Sequence, residues 1–121
     1  MKISESAEMY LETILVLSKK GDVHAIDIVR AMNFSRPTVS VAIHNLEKEK
    51  LLKISDEDHI TLEPAGLEIA EKIYERHTVL TSFFIKLGVS ENIAAEDACK
   101  IEHDISDETF EAIKNHARGI I

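Results

Sequence analysis

Ile26-Asp27-Ile28-Val29-Arg30-Ala31-Met32-Asn33-Phe34-Ser35-Arg36-Pro37-Thr38-Val39-Ser40-Val41-Ala42-Ile43-His44-Asn45-Leu46-Glu47-Lys48 is the stretch on which the fold turns. Ile26, Ile28, Val29 and Met32 give a short helix one apolar side. Asn33-Phe34-Ser35 interrupts it. Ser35 is a good N-cap, and Pro37 falls in the first helical turn, where a missing N–H costs nothing. A second helix is predicted from Arg36 to about Lys50, with Val39, Ala42, Ile43 and Leu46 turned inward. Short helix, tight turn and second helix make a helix-turn-helix. The outer face of the second helix carries Ser35, Arg36, Pro37, Thr38, Ser40, Val41, His44 and Lys48. Such hydroxyls and cations bond phosphate oxygens, Arg also reads guanine, and Val41 suits a thymine methyl. These residues are the candidate contacts to double-stranded DNA.

Working outward, Glu5 to Lys19 reads as a first helix with Tyr10, Leu11, Ile14, Leu15 and Leu17 on its apolar side. After the helix-turn-helix, Leu51-Leu52-Lys53-Ile54 and His59-Ile60-Thr61-Leu62 flank the polar turn Ser55-Asp56-Glu57-Asp58. That pattern predicts a hairpin, the wing of a winged helix. Pro64 opens a long helix reaching Leu87, with Ala70, Ile73, Tyr74, His77, Leu80, Phe84 and Leu87 along one face and Gly88 at its end. Ser90 caps a helix running to about Ile105, and Ser106 caps a last one that begins with Asp107 and Glu108. The chain is therefore mainly α: a winged helix-turn-helix over residues 1–63, then three helices over residues 64–121.

Composition sets limits on function. Of 121 residues, 45% are apolar but only 5% aromatic, so aliphatic side chains must build the core. No apolar run approaches the ~20 residues that span a bilayer. Met1-Lys2-Ile3-Ser4-Glu5-Ser6 has no signal-peptide character. The single Cys suits a reducing cytoplasm, where the protein is expected to reside. The net charge of -8 runs against the basic footprint of nucleic-acid readers, yet Arg30, Arg36, His44, Lys48, Lys50 and Lys53 gather in and beside the helix-turn-helix. Bound divalent cations would relieve the acidic excess.

Cys99, Glu102 and His103 stand at i, i+3 and i+4, which on a helix puts a thiol, a carboxylate and an imidazole on one face. Met9 and Glu12 share a face of the first helix, and His77 lies on the apolar side of the long one. Mixed sulfur, nitrogen and oxygen donors suit Fe(II), Co(II), Ni(II) or Zn(II). The subset Glu12, His77, Glu102 and His103 suits Mn(II). Each residue also has a plainer role: Cys99 as a small apolar side chain, Met9 as core filler, His77 as a core histidine, the glutamates as solvated charges.

Taken together, Ala7-Glu8-Met9-Tyr10-Leu11-Glu12, Ser35-Arg36-Pro37-Thr38-Val39-Ser40, Arg76-His77 and Cys99-Lys100-Ile101-Glu102-His103 resemble the diphtheria toxin repressor and manganese transport regulator family, in the same order over nearly the whole chain. The resemblance implies a homodimer that binds palindromic operators when loaded with metal and represses metal-uptake genes. It makes residues 64–121 the metal-binding and dimerisation domain. Met9, Cys99, Glu102 and His103 match the regulatory site of iron-responsive members; Glu12 and His77 match metal positions of manganese-responsive members. The sulfur donors put Fe(II) first and Mn(II) second. Two departures stand out. The ancillary site of iron-type members uses His77 with two places that here fall on Thr81 and Ala95, which leaves His77 to join Glu12 in a second site instead. The Src-homology-3-like third domain of iron-type members is missing, as in manganese-type members, and Arg118-Gly119-Ile120-Ile121 leaves room for a further C-terminal segment.

Two other readings compete. A winged-helix regulator of this shape can answer to an organic effector, and a metal buffer or interaction module needs no DNA. An enzyme is not expected, because no nucleophile–base pair, phosphate loop or His-Glu-x-x-His appears, and no small organic substrate is expected either.

Overall fold

Local rules set most element boundaries. In the computed structural model, which describes residues 3–119, α1 (Glu5–Ser18) starts where the Ser4 side chain accepts a hydrogen bond from the Ala7 N–H at 3.1 Å. Met1, Lys2, Ile120 and Ile121, and with them both chain ends discussed above, lie outside the described residues. β1 (Val23–His24) runs straight into α2 (Ala25–Met32), where the Asp27 carboxylate accepts from the His24 N–H at 2.9 Å. Asn33 closes α2 in the left-handed conformation, φ 57°, which Asn tolerates better than most residues. α3 (Arg36–Lys48) follows, its Ser35 cap accepting from the Thr38 N–H at 3.2 Å. The turn between the helices is therefore fixed by two short polar residues at defined positions.

α3 ends in a Schellman motif. Leu51 N–H bonds Leu46 C=O at 3.0 Å, Lys50 N–H bonds Glu47 C=O at 2.9 Å, and Lys50 takes the left-handed position at φ 63°. Leu46 and Leu51 are both buried, completing the apolar contact typical of the motif. The chain then forms the wing, β2 (Leu52–Ile54) and β3 (His59–Leu62). The sheet order is β1-β3-β2, antiparallel throughout, with Val23 opposite Ile60 and Ile54 also opposite Ile60. Glu47 on α3 ties the wing down by accepting from the Ile54 N–H at 3.0 Å.

Two compact units emerge, one through Glu71 and one from Lys72. In the first, Tyr10, Leu11, Ile14, Val23, Ile28, Val39, Ile43, Leu46, Leu51, Leu52, Ile60 and Ala70 form one core. Ala70 belongs to α4 (Pro64–Lys86), so the opening turns of that helix pack with the winged helix. The contact is close: Glu63 N–H bonds the Leu51 carbonyl at 3.0 Å, and Gly66 lies against the same peptide.

The second unit holds the rest of α4, α5 (Glu91–Ile101) and α6 (Asp107–Gly119). Ile73, Leu80, Ala94, Ala98 and Phe110 are buried. α4 ends in the same motif as α3, now with Gly88 in the left-handed place and Val89 N–H bonding Phe84 C=O at 3.0 Å. Three expectations need adjusting. β1 was not foreseen. α5 stops at Ile101, with Glu102 as its C-cap, rather than near Ile105. Leu87 is 64% exposed, because α4 has already ended at Lys86.

Gly66 provides the test of the α4 contact. A Cβ built there would fall inside van der Waals range of the Leu51 carbonyl oxygen and 2.9 Å from its carbonyl carbon, both backbone atoms that cannot step aside. Gly66→Ala is expected to destabilise the protein by about 2–3 kcal/mol, read as a lower denaturant midpoint at unchanged slope. An unaltered midpoint would mean that this approach is loose in solution.

Candidate metal centre and nucleic-acid interface

In the first unit, the inner face of α3 is consumed by the core through Val39, Ile43 and Leu46. Ser35, Arg36, Pro37, Thr38, Ser40, Val41, His44 and Lys48 are all exposed. Val41 is 62% exposed, a large apolar side chain held in solvent by the geometry of its helix. The wing tip Asp56-Glu57-Asp58 is exposed and acidic. Met9 and Glu12 are both half-buried on α1, the helix whose Tyr10, Leu11 and Ile14 enter the core. Burial also raises the Tyr10 phenol above its ordinary pKa.

In the second unit, Glu102 is fully buried. One carboxylate oxygen, Oε2, is 2.8 Å from His77 Nδ1, and the other, Oε1, is 3.4 Å from His103 Nε2. Oε1 has no hydrogen-bond partner among the described residues. Withdrawing a carboxylate from water is costly unless positive charge or strong donors replace the lost hydration. Here two imidazoles on different segments flank it. Cys99, one turn earlier on α5, is exposed. α5 ends at Ile101, so Glu102 is its C-cap, still in helical conformation with its N–H bonded to the Ala98 carbonyl at 2.9 Å, and His103 lies in the turn that follows.

Arg76 explains that turn. It is only 5% exposed and donates to the backbone carbonyls of Glu102 at 3.0 Å and Ile105 at 2.7 Å. Its other nitrogen bonds the Asp107 carboxylate, and the Phe110 ring lies 5.3 Å from the guanidinium carbon. The planar fork satisfies carbonyls released by the helix end and sets the backbone from which Glu102 projects. Sequence reading noted Arg76 only beside His77. An Arg between Ile73 and Leu80 on one helical stripe was the signal that it turns inward.

The donor set fits a divalent cation. A buried carboxylate with an unbonded oxygen, beside two imidazole nitrogens, offers oxygen and nitrogen donors where net positive charge is needed.

Known proteins share this architecture. Residues 2–60 match the N-terminal DNA binding domain of iron dependent repressors, and residues 63–118 match their metal binding and dimerisation domain. A helix-turn-helix transcriptional regulator of Methanocaldococcus jannaschii is 31% identical over 93% of this chain and 92% of its own. The transcriptional regulator MntR of Escherichia coli O6:H1 is 31% identical over 91% of this chain and 72% of its own. The structure of the manganese regulator SloR superposes with a TM-score of 0.81 at 25% identity, over 98% of this chain and 55% of that one. The chain thus spans about half the length of that solved structure. The fold and the relatives are those of transcriptional regulators, not enzymes.

Asp107 gives a pH test of the Arg76 turn. Hydrogen bonds from Lys72, at 3.1 Å, and from Arg76 hold its carboxyl below the usual carboxylate pKa. A lowered folded pKa contributes stability above the unfolded value and loses it as pH falls through the folded one. Asp107→Asn should therefore flatten the acid limb of the stability–pH curve while leaving its shape above neutrality unchanged. Identical acid limbs would show that this carboxylate is free in solution.

Proposed function

The chain belongs to the iron-dependent repressor family, and from that premise we propose that it is a cytoplasmic metal-dependent transcriptional repressor, a homodimer that binds operator DNA when loaded with divalent metal and controls metal-uptake genes. The observation that carries this reading is the buried Glu102 carboxylate, one oxygen bonded to His77 and the other without a hydrogen bond. Residues 1–63 act as the reading head and residues 64–121 as the metal-binding and dimerisation part. Glu102, His77 and His103 supply oxygen and nitrogen ligands and Glu12 a second carboxylate, while Met9 and Cys99 add sulfur where the ion is Fe(II). When bound, the metal supplies two positive charges and a crosslink between ligands distant in sequence.

Glu12, joined by Met9 where the ion is Fe(II), couples the site to DNA, since both residues lie on α1. The buried side of that helix is part of the reading head's core. Fixing α1 restricts how the head is presented. Two heads in a symmetric dimer must meet half-sites roughly 34 Å apart, or a multiple of that. A dimer already restricted loses less entropy on binding, so metal tightens DNA and DNA tightens metal by the same factor.

For the ion we propose Mn(II). The likeness to the manganese regulator SloR supports it, and so does the oxygen and nitrogen character of the buried trio. Fe(II) is the second reading, favoured by the sulfur of Met9 and Cys99, with Co(II), Ni(II) or Zn(II) as surrogates. Sulfur ligation separates the two: Cys99→Ala should leave a Mn(II) response intact and weaken an Fe(II) response measured without oxygen.

Fluorescence anisotropy with the promoter of an uptake gene tests the whole reading. Metal should tighten binding about 5- to 150-fold, and Glu102→Gln should abolish that gain. Equal binding with and without metal would favour an organic effector. No binding at low salt with metal present would favour a metal buffer or interaction module.

A further inference from the structure

Arg36, Ser40, His44 and Lys48 stand four residues apart, so they form one inclined row that winds about 120° across the exposed face of α3. At 1.5 Å per residue, the row extends roughly 18 Å between its terminal cations. That exceeds the roughly 12 Å width of the DNA major groove. A helix seated in the groove would bring Arg36 and Lys48 toward the phosphates at its edges and leave Ser40 and His44 over the bases. Row position thus distinguishes base reading from anchoring, and the only ring in the row is at its centre.

The ring's chemistry is set by its own helix. His44 Nδ1 is 2.7 Å from the Ser40 carbonyl oxygen and 3.5 Å from Ser40 Oγ. A carbonyl only accepts, so the short contact requires the proton on Nδ1. A bare Nδ1 would face the carbonyl lone pairs, with only the longer hydroxyl contact in return. In the neutral ring, Nε2 is then an acceptor. Nε2 has no partner among the described residues, and the side chain is exposed.

We propose that His44 is a specificity-determining residue, its Nε2 accepting a hydrogen bond from an exocyclic amino group in the major groove, adenine N6 or cytosine N4. This rests on the operator-binding reading above. Guanine and thymine present only acceptors at the corresponding edge positions, so an acceptor held toward the groove discriminates against them. The Ser40 carbonyl positions the ring, and no other side chain is needed to hold the tautomer.

The test is selection of binding sites from a randomised duplex pool with the full chain, metal-loaded and at about pH 8, where free imidazole is neutral. Wild type should select adenine or cytosine at one position in each half-site. His44→Ala should lose that choice, with a drop in discrimination of about 3- to 10-fold for one hydrogen bond, while the other positions keep theirs. His44→Gln, whose amide oxygen also accepts, should keep selection for an amino-bearing base. Replacing the chosen adenine with purine, or the chosen cytosine with 2-pyrimidinone, removes only the amino group and should weaken wild type by the same factor without affecting His44→Ala. A His44→Ala variant that binds all sites more weakly with every preference intact would overturn the proposal. A wild-type protein that enriches no sequence would instead overturn the operator-binding reading.

Discussion

The carboxylate of Glu102 is the constraint around which the C-terminal unit is organised. It is removed from solvent entirely, and its neighbours are a guanidinium acting on its backbone and imidazoles acting on its side chain. Arg76 sits within α4, so the end of α5 is shaped by a residue 26 positions earlier in the chain. The same side chain reaches Ile105 and Asp107, and so joins the close of one helix to the start of the next. A carboxylate fixed this firmly, with an oxygen still lacking a hydrogen bond, is well preorganised for a cation.

The net charge of -8 looked like an obstacle to nucleic-acid binding. Its distribution removes much of the difficulty. On the reading face of α3 the cations Arg36 and Lys48 flank neutral hydroxyls and an imidazole, and no exposed acid lies among them. The acids of the wing tip remain, so under the proposed function approach to phosphate would rest on a narrow basic row rather than a broad positive field. Affinity built this way is modest and sensitive to salt. A regulator whose DNA binding must be switched by a ligand benefits from an unswitched affinity that is weak.

The winged helix was legible because its signals are local. Ser35 and Pro37 mark a helix start, Asn33 and Phe34 a break, and the alternation around Ser55–Asp58 a hairpin; each appears where those residues predict it. Long-range features were not legible. β1 is two residues long and is a strand only because β3 lies beside it. The end of α5 depends on Arg76, which no window around residue 102 contains. Lys50 holds a left-handed position that composition would assign to Gly, as it does at Gly88. For the candidate site, spacing suggested one helical face for Cys99, Glu102 and His103. The fold buries the Glu102 carboxylate, leaves Cys99 exposed, and brings His77 to Glu102 by tertiary packing, which spacing cannot convey.

Thermal unfolding of the metal-free protein, with and without Mn(II), tests the role of Glu102 most directly because it requires no DNA. A ligand that binds only the folded state at 100 times its dissociation constant adds about 2.7 kcal/mol, so the wild-type midpoint should climb as Mn(II) is added, and that of Glu102→Gln should stay where it began. Equal climbs in the two proteins would contradict the account, since the ion would then be held somewhere other than at the buried carboxylate.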